Sequence, residues 1–318
     1  MHSGRAGDAG PARAAMPTVA AELPGVTSHR HPSPQQRRYA DDVLGGPTDT
    51  ERARLAAMAA VCDPTTIRVL DERGVGVGWR CLEVGAGGGS IAAWLADRVT
   101  GADADSTTGP ATDAGAGHAT RAGHVVATDV DTRHLDVLAG PELTVLRHDV
   151  TRDPAPPGGP FDLIHARFVL EHLPDREHVL DRLRDWLKPA GVLVVESIAA
   201  FPLDSSPHPA FRRAMLSIDE ALAKTIGTDS AWARGFPGPL QARGLVDVGV
   251  SVHLPTTGGA GASAQCWALT LTRLRPHIRE LDLAGDDTLD EALDCLADPA
   301  FFDLSFATAI AWGRAPDY

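Results

Sequence analysis

No stretch of this 318-residue chain approaches the ~20 consecutive apolar residues of a membrane-crossing helix, so no membrane is expected as a partner. Cysteine is scarce: Cys62, Cys81, Cys266 and Cys295 are the four present, and no two form a C-x-x-C pair. Zinc-type spacing is therefore absent, no metal is expected, and a disulfide framework does not suit this density. Reduced, partly buried thiols are expected instead. No block of five or more Lys and Arg occurs. The 29 basic residues face 42 acidic ones, for a formal net charge of −13. Phosphate recognition needs clustered cations, so nucleic acid is disfavoured as a partner. A small neutral or cationic molecule suits the charge better. The first 30 residues hold no central apolar stretch of the secretory kind, and a cytoplasmic protein is expected. Internal repeats are absent too.

What is present is an ordinary globular composition, 43% hydrophobic and 22% charged, in a chain long enough to bury a large core. Residues 1–33 are rich in Gly, Pro, Ala and polar groups and are expected to be a disordered tail. Residues 34–74 read as a helical lid. A short helix near 33–46 stops at Gly45-Gly46. A second begins at Thr48, which has capping-box spacing to Glu51, and Asp63-Pro64 restarts a third. Residues 75–200 then alternate strands and helices. Strands are expected at 79–84, 124–129, 143–149, 161–166 and 192–197, and helices at 90–99, 133–138 and 178–187. That rhythm implies a parallel sheet covered on both faces. Residues 101–123 hold no Val, Ile, Leu, Met or aromatic residue and read as a flexible insertion. Beyond residue 200 come helices at 209–226, 237–244, 264–281 and 288–298, a strand at 246–254, and a loop turning into a strand over 301–315. These are expected to make a helical cap and the last strands of the sheet.

The stretch CLEVGAGGGS, residues 81–90, places four glycines in five positions behind an apolar run. A strand, a glycine turn and a helix form the opening unit of a nucleotide-binding α/β fold. The ligand then lies outside the strands' carboxyl ends. Glycine lets backbone N–H groups approach that ligand, and the helix N-terminus favours negative charge. A dinucleotide turn would need a third glycine at position 90, which is Ser90. A carboxylate ending the second strand is expected to hold ribose hydroxyls about 20 residues after the turn. Asp129 ends HVVATD and lies 44 residues after Gly85, or 21 once the 23-residue insertion is set aside. Asp131 competes for that role.

The spacing Glu83, Gly85, Gly87, Gly89 resembles motif I of class I S-adenosylmethionine-dependent methyltransferases. LRHDV, FDLIHARFVLEHLPDR and LKPAGVLVVES resemble later segments of the same family, in the family's order. Ala190 stands where a second glycine is common. The C-terminal third resembles, more loosely, capped small-molecule methyltransferases of actinobacterial type. The resemblance implies a Rossmann-like, doubly wound α/β fold. Its seven-stranded sheet would be mostly parallel, with an antiparallel last strand and a helical cap. It implies S-adenosyl-L-methionine as cofactor. The glycine turn and Glu83 would hold the methionine part, and Asp149 with the Val150 N–H would meet the adenine. The backbone at Ala166 and Arg167 would face the amino acid part.

Methyl transfer from a sulfonium is a direct displacement, so the protein mainly aligns the reactants and excludes water. For an oxygen or nitrogen acceptor a base is wanted. His172, just past the fourth strand, is the leading candidate; it also suits a capping or packing role. His165 and His253 are weaker candidates, His165 being expected inside a strand. Arg167 is a candidate for orienting an acidic substrate, or for pairing with Glu171 or Asp162. Tyr39 is a candidate lid contact, and Trp232, Trp267 and Phe211 are candidates for an apolar pocket wall or for core. The expected function is methylation of O or N in a small-molecule biosynthetic intermediate. The alternatives are a non-methylating reaction on the same cofactor, such as a cyclisation, and a cofactor-binding partner without chemistry. Substrate identity and oligomeric state, a homodimer included, stay open.

Overall fold

A computed structural model describes residues 43–45, 48–101 and 122–317. The expected tail, the helix near 33–46, Tyr39 and most of the insertion lie outside the described residues. The first helix of the described residues is α1, Thr48–Glu72. Strand β1, Arg80–Val84, leads through the glycine turn into α2, Ser90–Thr100. Then come β2, His124–Asp129; β3, Leu143–Arg147; and β4, Phe161–Arg167. Helix α3, Arg176–Asp185, precedes β5, Leu187–Ala200.

These strands belong to a seven-stranded sheet of order β3-β2-β1-β4-β5-β9-β6, in which β9 is Ala307–Arg314 and β6 is Val246–His253. Strands β1 to β5 pair in parallel, and β9 runs antiparallel to both neighbours, β5 and β6. The sheet is thus the mostly parallel, doubly wound one the sequence implies. Chain order reverses between β1 and β4, and a ligand site is expected at that crevice.

Alternation along the strands divides the sheet's core between its two faces. Cys81 of β1 and Leu163 of β4 pack with Val69 and Leu70 of α1 and Ile91 and Leu95 of α2. Leu82, Ile164 and Leu193 point the other way, onto Val179, Leu180 and Leu183 of α3. Both faces being covered, the strands read as continuous apolar runs.

The helices α4, Pro209–Ile226, α6, Ala262–Glu280, and α7, Asp286–Ala297, make a separate core, whereas the single turn α5, Gly238–Gln241, sends Leu240 into the sheet's core. Phe211, Met215 and Ile218 of α4 meet Leu271 and Leu274 of α6 and Leu289 of α7. A two-stranded ribbon, β7 (Thr256–Gly258) with β8 (Phe302–Leu304), borders them and has no counterpart in the sequence reading.

Two local differences from the sequence reading have physical causes. Helix α1 runs unbroken through Pro64, where a restart is expected from the pattern. An interior proline costs about 3 kcal/mol. The flanking residues are tied to the sheet: Asp63 to Arg167 at 2.8 Å, and Thr66 to Glu196 at 2.6 Å. Those anchors, with buried Cys62, Val69 and Leu70, offset the missing backbone bond. In addition, β5 begins at Leu187 rather than 192, because Leu187 pairs with Phe161 across a register shift. Ala190 lies in that bulged entry at φ 60°, the left-handed region that glycine adopts freely.

Candidate functional site

A cavity of about 380 Å³ lies at the carboxyl edge of the sheet, and Leu55 and Met58 of α1 line it too. Its floor is the glycine turn. Gly85, Gly87 and Gly89 take φ of 66°, 55° and 78°. Two of them also lack room for a side chain. At Gly85 an added Cβ would come within 2.3 Å of Val169 Cγ2, and at Gly89 within 2.2 Å of Leu138 Cδ1. At Gly87 the nearest atom would be Leu55 Cδ2 at an ordinary 3.5 Å, so only its dihedral demands glycine.

Asp129 ends β2 against this turn. Its Oδ2 accepts the Gly87 N–H at 2.9 Å, and its Oδ1 accepts the Asp131 N–H at 3.0 Å. Burial raises its carboxyl above the usual range, and the same two N–H donors pull against that rise. Each oxygen keeps a second lone pair, so vicinal hydroxyls can donate to both. Asp131, the competitor, is instead clasped by Arg133 Nε at 2.9 Å from each oxygen. Asp129, Asp131, Val130, Val150 and His148 all line this end of the cavity. A bare glycine floor, a half-buried two-oxygen acceptor and apolar walls fit a nucleoside with a polar tail.

The other sequence-derived residues divide. Gly85, Gly87, Asp129, Val150, Arg167 and His172 line the cavity; Glu83, Gly89, Asp149 and Ala166 do not. Glu83 is buried and accepts from His165 Nδ1–H at 2.8 Å across the β1–β4 pair. That bond braces the strands beneath the turn and occupies His165. The Asp149 carboxylate accepts the Thr151 N–H at 2.9 Å and meets Arg152 Nε at 2.8 Å. It shapes the loop that carries Val150 and Arg152. Gly89 closes the turn into α2, its N–H donating to the Ala86 carbonyl at 2.8 Å.

Arg167 pairs with Asp63 rather than with Glu171 or Asp162, while Asp162 takes the Arg80 N–H and Lys188. Burial alone would lower the Arg167 pKa; Glu196 and Asp63 outweigh it and raise it. His172 sits on a short turn, Leu170–His172, and its Nδ1 shares a 2.8 Å hydrogen bond with Thr228 Oγ1. Burial, then the nearby Arg54 and Arg176 charges, push its pKa down to about 3. The imidazole is neutral at any ordinary pH and is a weak base. His253 lies on β6, away from the cavity lining.

Trp267 lines the cavity, but Phe211 is buried in the cap against Phe301, and Trp232 donates to Glu177. Sequence reasoning weighed Glu171 only as a partner for Arg167, yet it lines the cavity and is fully buried. Burial first, and then the neighbouring Glu196 charge, raise its pKa to about 7 against hydrogen bonds that lower it, including one from Ser197. The available signal was a lone carboxylate in the apolar run FVLEHL, one turn past a strand tip. The bidentate Glu51–Arg54 pair, at 2.9 and 2.6 Å, is a second wall element not anticipated. Among the described residues, no group of three or more His, Cys, Asp or Glu is placed to hold a metal. Nor is any described helix long and apolar enough to cross a membrane.

A family model described as a methyltransferase domain matches residues 46–224. Among solved structures, the chain is similar to the YcgJ protein of Bacillus subtilis at 12% identity and TM-score 0.49, covering 79% of this chain and 97% of that one. It is also similar to the [4+2]-cyclase SpnF, at 16% identity and TM-score 0.44, over 78% and 79% of the two chains. A third is the mycolic acid cyclopropane synthase CmaA1 bound to S-adenosylhomocysteine, at 13% identity and TM-score 0.47, over 78% and 83%. No curated protein matches the chain.

Proposed function

We propose that this chain, which belongs to the methyltransferase-domain family, methylates an oxygen or nitrogen of a small molecule. Its cofactor is S-adenosyl-L-methionine. When bound, the sulfonium supplies a methyl group whose bonding electrons stay on sulfur. The chain's own residues bind, orient and dry the reactants. In this reading Asp129 takes the ribose hydroxyls, and the N–H groups of the turn from Gly85 to Gly87 face the amino acid tail. Val150 covers the base. Glu83 and Asp149 work one step back: Glu83 braces β1 on β4 through His165, and Asp149 holds the loop that presents Val150.

The observation that carries the reading is the clasp of Gly87 onto Asp129 on the cavity floor. It fixes the carboxylate before any ligand arrives, so little ordering is left for binding. His172 is neutral and weakly basic, which suits it to orienting an acceptor rather than holding its proton. Arg167, neutralised by Asp63 and Glu196, suits a wall better than an anion receptor.

The test is incubation with cofactor labelled in its methyl group and a panel of phenols and amines. Label in a product supports the reading. A converted product without label would mean that the same site runs a different reaction, such as a cyclisation.

A further inference from the structure

Most of the cavity's polar groups are already matched, but two buried atoms are not: His148 Nδ1 at the ribose end and Glu171 Oε1 beyond it. Glu171 lies on the turn after β4 and is 0% exposed. Its Oε2 accepts the Ser197 hydroxyl at 2.9 Å, and its backbone carbonyl accepts the Asp229 N–H. Its Oε1, equally buried, has no partner at hydrogen-bond geometry, although the Glu171 and Ile198 N–H groups lie near enough to favour the charged carboxylate. Leaving such an oxygen unmatched costs the desolvation of that group with no return, and the fold has no evident need of it. Ser197 already fixes the carboxyl, and Arg167 is spent on Asp63.

Position tells which part of the cavity Glu171 lines. Asp129 ends β2, whereas Glu171 follows β4 and is anchored to β5, two and three strands along the sheet order. At ~4.8 Å per strand that is roughly 10–14 Å from the ribose end. Beyond the glycine floor the cavity lining includes Phe168, Ile198, Phe201, Leu222, Trp267 and Phe306, with the Glu51–Arg54 pair beside them. An aromatic and aliphatic wall with one unmatched acceptor is a specific recognition pattern.

We propose that Glu171 Oε1 receives the hydrogen of the methyl acceptor, and that the acceptor is an apolar, ring-sized molecule presenting one hydroxyl or amine to it. This rests on the methyltransferase reading above and adds the substrate class and the base. The acceptor's O–H or N–H bond breaks and its proton passes to Glu171 Oε1. The electron pair left behind would form the bond to the methyl carbon as that carbon's bond to the cofactor's sulfur breaks, its electrons staying on the departing thioether. Glu171 then releases the proton to water as the product leaves. Its pKa of about 7 lets it do both near neutral pH, where His172 at about 3 would hold a proton poorly.

The experiment is binding, read by ligand-observed NMR on the full chain. Wild-type affinity for S-adenosylhomocysteine is measured first; its absence sinks the methyltransferase reading rather than this proposal. With that ligand saturating, 2-naphthol and naphthalene are compared. The wild type is expected to prefer 2-naphthol at least tenfold, and Glu171→Leu to abolish the preference. Should Glu171→Leu not fold, Glu171→Gln and Ser197→Ala are each expected to cut it at least threefold. Equal affinity for the two probes, no affinity for either, or a preference that survives these substitutions overturns the assignment.

Discussion

The two ends of the cavity are built in opposite ways. At the end assigned to the ribose, one short segment does nearly everything: the turn from Gly85 to Gly89 and the tip of β2 are neighbours, and one backbone N–H orients each oxygen of the Asp129 carboxylate. At the acceptor end the wall comes from α1, the turn after β4, the end of β5, α4 and α6, and one carboxyl oxygen is left unmatched. The first end is rigid and generic, as suits a cofactor shared by a family. The second is assembled by long-range packing, as suits a site that sets specificity.

The glycine floor gives the largest expected break in that comparison. Gly85→Ala combines a left-handed φ with a Cβ lodged against the short, branched Val169 side chain, and should cost about 2–4 kcal/mol in chemical denaturation. Gly87→Ala meets only the dihedral penalty and should cost about 1 kcal/mol. Equal losses would mean that the floor is not shaped by Val169.

Glu171 tests the other end. Its pKa is raised from the ordinary 4.5 to about 7 by burial, and the Glu196 charge adds to the rise. The Ser197 hydroxyl opposes it, and Arg167 and Arg54 are the cations on adjoining walls. The folded state therefore holds this proton more tightly than the unfolded chain. Its contribution to stability is complete below pH 4.5 and is lost as pH rises through 7. Between pH 5 and pH 8 the stability of Glu171→Gln should gain on wild type by about 2–3 kcal/mol. Parallel pH curves for the two proteins would remove the buried ionisable group from the account.

Smaller effects sharpen the picture outside the cavity. Ala190→Gly relieves the left-handed residue at the entry to β5 and should stabilise by about 0.5–1 kcal/mol in thermal melts. The smallest expected effect is at His172. Because its imidazole stays neutral above about pH 4, His172→Gln should leave the shape of the pH–rate profile between pH 6 and 9 unchanged, whatever it does to the rate.

The same contrast explains how much was legible in the sequence. Strand, glycine turn, helix and a terminal Asp lie close along the chain once the insertion is set aside, so local pattern finds the mostly parallel sheet and puts Asp129 at the end of its second strand. Glu83 and Asp149 are found by the same spacing, but spacing does not say where a side chain points, and both turn to protein partners instead of lining the cavity. Arg167 meets Asp63 through a helix that local rules break at Pro64, so its true partner is hidden. Glu171 is a single charge in FVLEHL; only packing from β5 and the cap reveals it as buried. The β7–β8 ribbon, three residues per strand, is too short for periodicity to register.

The central claim is tested most directly by calorimetric titration of S-adenosylhomocysteine into wild type and Asp129→Ala. Two charge-assisted hydrogen bonds at ~1.5–3 kcal/mol each predict an affinity loss on the order of 100-fold or more. Wild-type protein that does not bind, or a variant that binds as tightly as wild type, would contradict the account.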